Sequence, residues 1–107
     1  MGASTITDLL EIVISFARGY GLTERETEIV YYLSRYGYNN RTLANELFIA
    51  EKTVKNHMAN IQNKTRTSST RELLSLIVVQ SLMHQQHRVK VTIANSSSKP
   101  RRDIASK

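Results

Sequence analysis

The sequence predicts an all-α domain, and three observations carry that expectation. Apolar residues recur at helical spacing in successive segments, as in Ile6, Leu9, Leu10, Val13, Phe16 and Ala17, whose three- and four-residue steps place them on one side of a helix. Thr23 with Glu26, and Ser69 with Glu72, match the capping box, in which each side chain satisfies an orphan backbone donor at a helix start. Strand-like alternation occurs only at Val89, Val91 and Ile93, and a lone strand has nothing to pair with.

The elements follow in order. Thr5 opens a first amphipathic helix that ends at Gly19 to Gly21, where glycine releases the backbone. The Thr23 cap starts a second, with Ile29, Val30 and Leu33 as its buried face and Gly37 as its stop. Asn40 is expected to cap a short third helix carrying Leu43, Ala44 and Leu47, and the tripeptide Phe48 to Ala50 makes a tight turn. The fourth helix is EKTVKNHMANIQNK, Glu51 to Lys64, interrupted by TRTSS. The Ser69 cap starts a last helix through about Gln85, whose apolar set (Leu73, Leu74, Leu76, Ile77, Val78, Val79, Leu82, Met83) is wider than one core contact needs. A symmetric dimer through Leu74, Val78, Val79 and Leu82 is the economical way to bury the surplus.

At 107 residues, with 40% hydrophobic content, the chain suffices for one small core. It has no cysteine, so neither a disulfide framework nor a thiolate zinc site holds it together. The Ile6 to Ala17 run contains Asp8 and Glu11 and falls short of the ~20 residues that span a bilayer, and no basic secretory leader precedes it. A cytoplasmic protein without membrane contact is expected. Because the motif and its flanks use the whole chain, control by abundance or by a partner is expected rather than by an added regulatory domain.

The net charge of +6 is unevenly placed. Residues 88–107 hold Arg88, Lys90, Lys99, Arg101, Arg102 and Lys107 against Asp103, which with the serines reads as a basic, flexible tail. Residues 51–72 hold Lys52, Lys55, Lys64, Arg66 and Arg71 against Glu51 and Glu72, whereas acids outnumber bases in residues 1–50. On the Glu51–Lys64 helix, Val54, Met58 and Ile61 line one side. Lys52, Lys55, Asn56, Ala59, Asn60 and Asn63 line the other, where an ordinary solvated face would mix both signs of charge. Lysine donates to guanine O6/N7, asparagine pairs bidentately with adenine, and a small methyl allows close approach. A short helix, a tight turn and this second helix make a helix-turn-helix, whose second helix fits the major groove of double-stranded DNA.

The blocks GLTERETEIV, GYNNRTLANELFIAEKTVKNHMANIQNK and SSTREL resemble the LuxR/FixJ/GerE-type helix-turn-helix over about Gly21 to Leu82, closest to its stand-alone GerE-like members. The resemblance implies a four-helix domain over 21–87, preceded by an additional N-terminal helix over 1–20 and followed by the basic tail over 88–107. It implies a transcriptional regulator that binds a two-fold DNA site as a homodimer. Its 51–64 helix would lie in the groove and its last helix would pair. Val54, Ile61, Leu43 and Leu47 would be core. Lys55, Asn56 and Ala59 would face base edges, and Thr53 and Lys64 would approach phosphates. RNA polymerase or another regulator would be a further partner.

The chain departs from the family pattern in places. Ala50 stands where a capping serine is usual, at a cost of about 0.5–2 kcal/mol. Lys64-Thr65-Arg66-Thr67 replaces a Lys-Leu-Gly-apolar run, so a buried leucine and a helix-ending glycine are both missing, and a left-handed Arg66 would be strained by roughly 1 kcal/mol. The join to the last helix is therefore expected to differ. Thr70 replaces an arginine that meets phosphate, which shifts that duty to Arg66, Arg71 and the tail.

Other residues read as structural. His57 sits beside the apolar face as a packed or phosphate-bonding side chain. His84 and His87 lack a cysteine or acid nearby, so no metal or other cofactor is expected. No Ser/His/Asp set, glycine-rich phosphate loop or carboxylate pair stands out, so the chain does not read as an enzyme. Tyr31, Tyr32, Tyr36 and Tyr38 read as half-buried helix positions. Two other functions fit the same sequence. One is a helix-turn-helix-derived interaction module, an antagonist or co-regulator that pairs with another regulator. The other is a DNA-processing accessory protein of a plasmid or phage.

Overall fold

The computed structural model describes the backbone of residues 2–86 and the side chains of Asp8 to Met83. The expected tail, the alternating Val89–Ile93 segment, His87 and the side chain of His84 lie outside those residues. Five helices follow one another: α1 (Gly2–Tyr20), α2 (Glu24–Tyr36), α3 (Asn40–Leu47), α4 (Glu51–Thr65) and α5 (Thr70–Gln86). No strand occurs among the described residues. The all-α expectation holds, and α1 starts three residues earlier than Thr5 suggested.

Local chemistry sets each boundary. The Thr23 box forms in full: Glu26 N–H donates to Thr23 Oγ1 at 3.2 Å, and Thr23 N–H donates to Glu26 Oε1 at 2.9 Å. Gly37 ends α2 in the left-handed region (φ 69°), where its N–H reaches Leu33 O, and glycine adopts that conformation without the Cβ penalty. The cap of α3 is Asn39, not Asn40: Asn39 Oδ1 accepts Thr42 N–H at 2.9 Å, and Asn40 is already helical. Either asparagine satisfies the sequence pattern. The extended backbone of Asn39 (φ −84°, ψ 177°) selects it. At α5 only half a box forms, since Glu72 N–H bonds Ser69 Oγ but the Glu72 carboxylate accepts from Ser68 N–H and Oγ rather than from Ser69. Those two donors hold the Glu72 carboxyl below its ordinary value.

The core joins all five helices. Val13 and Phe16 of α1 meet Ile29, Val30 and Leu33 of α2, Leu43, Ala44 and Leu47 of α3, Val54, Met58 and Ile61 of α4, and Leu73 and Ile77 of α5. Helix α1 packs on both α2 and α5, and α3 packs on α4. The additional N-terminal helix is thus part of the hydrophobic unit. Tyr32, Tyr36 and Tyr38 stack on one another, Tyr36 and Tyr38 at 4.9 Å, and Arg35 lies over the Tyr36 ring. Three of the four tyrosines named above are half-buried, but Tyr38 lies in the turn between α2 and α3 rather than in a helix, and Tyr36 is exposed.

Candidate nucleic-acid interface

Helices α3 and α4 and the turn between them form the helix-turn-helix. Leu47 closes α3 in the core, and Phe48, a residue 93% exposed, reverses the chain in the left-handed region (φ 56°). Ile49 N–H then bonds Ala44 O at 3.0 Å, which lets Ala50 enter α4 in an extended conformation. Ala50 makes no side-chain cap bond, as its methyl dictates.

On α4 the stripe of Val54, Met58, Ile61 and Thr65 is buried. That rotation turns Lys52, Lys55, Asn56, Ala59, Asn60 and Asn63 outward, all exposed, with Thr53 half-buried at the edge. Arg66 and Arg71, at the end of α4 and the start of α5, are exposed as well. His57 is half-buried beside the core stripe. The charge-biased face is therefore continuous along α4, with the two arginines beyond its C-terminal end.

Two positions differ in environment from their sequence reading. Lys64, which the resemblance would place on phosphate, donates to Glu26 Oε1 at 2.8 Å while its side chain stays 35% exposed. Burial opposes the charge on Glu26, but the hydrogen bonds from Lys64 and the Thr23 backbone prevail and hold the carboxyl below its ordinary value. The sequence showed Glu26 only as a cap residue, because its partner is 38 positions away. Thr65, in the place of the absent leucine, is buried, with its hydroxyl on Ile61 O at 2.8 Å. The join it precedes keeps a tight left-handed turn despite the missing glycine. Arg66 takes the left-handed conformation (φ 58°), and Thr67 N–H reaches back to Gln62 O at 3.0 Å.

On α5, Leu73 and Ile77 enter the core and Leu74 is half-buried. Val78, Val79, Leu82 and Met83 remain exposed at 57%, 47%, 61% and 57%. The surplus apolar face is present. No helix among the described residues is long and apolar enough to cross a membrane.

This geometry is that of a helix-turn-helix regulator domain, and the sequence comparisons agree. Residues 21–77 match the family described as bacterial regulatory proteins, luxR family. The chain belongs to that family. It is 54% identical over 43 residues to the transcriptional regulatory protein LnrK of Bacillus subtilis (strain 168), covering 40% of this chain and 19% of the relative. It is 49% identical over 43 residues to the transcriptional regulatory protein DegU of Brevibacillus brevis, covering 40% and 18%. With the transcriptional activator protein ExaE of Pseudomonas putida it shares 37% identity over 67 residues, covering 63% and 31%. The chain thus spans less than a third of the length of these curated relatives. No solved structure matches.

Proposed function

We propose that the chain is a sequence-specific double-stranded-DNA-binding transcriptional regulator that acts as a homodimer, with α4 in the major groove. The observation that carries this reading is the outward face of α4, where lysines, asparagines and one alanine stand exposed opposite a fully packed stripe. Lys55, Asn56 and Ala59 lie centrally and read base edges. Lys52, Thr53, Asn60 and Asn63 flank them, and Arg66 and Arg71 supply phosphate contacts that fix position without reading sequence. Two copies pair through Leu74, Val78, Val79 and Leu82, presenting two α4 helices to two half-sites. The uncharged run from Leu73 to Met83 favours self-pairing, since a two-fold contact sets like against like and would be opposed by a charge.

The same uncharged stripe favours a second reading, an interaction module that pairs with another regulator. Selection of genomic fragments by the purified protein separates the two. Enrichment of one palindromic sequence supports the regulator, and no enrichment over bulk DNA leaves the interaction module. A site confined to plasmid or phage DNA would indicate the accessory role.

A further inference from the structure

We infer that Lys64 is a positioning residue for base reading: its ion pair with the buried Glu26 fixes how the recognition helix α4 is set on the domain. This rests on the reading of α4 as the DNA-contacting helix. The Glu26 side chain is only 4% exposed, and its Oε1 accepts both Lys64 Nζ at 2.8 Å and Thr23 N–H at 2.9 Å. The carboxylate is itself held by the helix start it caps, so Lys64 ties the C-terminal end of α4 to a rigid point on α2.

The tie matters because of what the other end of α4 lacks. Ala50 gives no side-chain cap, so the N-terminal end is held by packing and by the backbone turn from Ile49 to Ala44. Apolar packing is non-directional. A 2.8 Å ion pair with one partner buried is directional, and it resists the small rotation of α4 that would carry Lys55 and Asn56 out of register with base edges. A phosphate role that drew Lys64 off Glu26 conflicts with the same geometry. If the ammonium left for DNA, Glu26 would remain a buried charge without its cation, an outcome more costly than an exposed phosphate contact is favourable.

The test uses the full chain with Lys64→Met, Lys64→Gln, Lys64→Arg and Glu26→Gln, titrated on a selected duplex and a scrambled one at several salt concentrations. Lys64→Met, Lys64→Gln and Glu26→Gln should each lower the preference for the selected duplex by about fivefold or more, comparable to weakening one base contact. The dependence of log K on log salt should stay unchanged, and Lys64→Arg should restore the preference. Loss of about 0.9 from the salt slope with preference intact would make Lys64 a phosphate ligand. Tighter binding by Glu26→Gln would point the same way. A lower Tm with preference and slope both unmoved would reduce the pair to a structural brace and overturn the inference. In the unsubstituted protein, the Lys64 Nζ resonance should keep its position when DNA binds, and a shift would overturn the inference even if every variant failed to fold. A parent protein with no duplex preference would instead defeat the DNA-binding reading itself.

Discussion

The Thr65 hydroxyl donates to the Ile61 carbonyl oxygen at 2.8 Å and lies 3.0 Å from Thr67 Oγ1. Since its one proton goes to Ile61, Thr65 accepts from Thr67, and the two threonines brace the turn that leaves α4. Arg66 between them sits in the left-handed region at φ 58°, where an L side chain is strained. Arg66→Gly should relieve that strain and, after the added freedom of the unfolded chain, stabilise the domain by roughly 0.5–1 kcal/mol. Thermal denaturation checks it: an unchanged or lowered Tm would mean that Arg66 makes stabilising contacts outweighing the strain.

Ala50 offers the converse case. Its backbone already has cap geometry (φ −72°, ψ 149°), and only the side-chain acceptor is absent. Ala50→Ser should supply a bond to an orphan N–H in the first turn of α4 and add about 1 kcal/mol in a denaturant titration. No gain would indicate that the serine hydroxyl turns to water.

What the sequence made legible and what it hid divide along sequence distance. Helix starts were readable because Thr23 and Glu26 are three residues apart and their chemistry is local. The α4 faces were readable because the helix repeat alone separates Val54, Met58 and Ile61 from Lys55 and Asn56. The choice of Asn39 over Asn40, and of Ser68 over Ser69 as the Glu72 partner, depended on backbone angles that neighbouring polar residues satisfy equally well on paper. The Lys64–Glu26 pair was invisible because nothing in a helical pattern joins residues 38 apart. The place of the missing leucine was also unreadable, since a buried threonine is tolerable only when its hydroxyl finds an acceptor, here Ile61 O.

The exposed positions Val79 and Leu82 test the proposed pairing without touching the core. Val79→Glu with Leu82→Glu should leave the monomer folded, because surface substitutions away from packed groups cost little. The dimer should be lost, because two copies would then set glutamates against each other in an apolar contact. Sedimentation at micromolar concentration decides this. A parent chain that is monomeric both free and on DNA would rule out the two-fold arrangement.

Acid should weaken the domain through Glu26. Its folded carboxyl titrates below the usual 4.5, so the charged form is favoured by folding. That contribution is fully present above the unfolded value and disappears as pH falls through the lower folded value. Tm should therefore drop below about pH 4.5 in the parent. Glu26→Gln should start from a lower Tm and fall less steeply over the same range. Parallel curves would show that other carboxylates govern the acid response.

Base reading and charge are separable at Asn56. It is exposed next to Lys55 in the middle of the outward face of α4, and its amide offers the donor and acceptor that adenine N7 and N6 require. Asn56→Ala removes that pair without changing any charge, so the salt dependence of binding should be untouched. Affinity for the selected duplex should fall by about 1–3 kcal/mol, and affinity for a scrambled duplex should change little. Arg71, exposed in the first turn of α5, gives the opposite signature. Arg71→Ala should weaken both duplexes alike and flatten the salt slope by about 0.9. The two variants titrated side by side fix which residues read and which only hold. An Asn56→Ala protein that discriminates as well as the parent would remove the reading role from this face of α4 and shift weight to the protein-partner alternative.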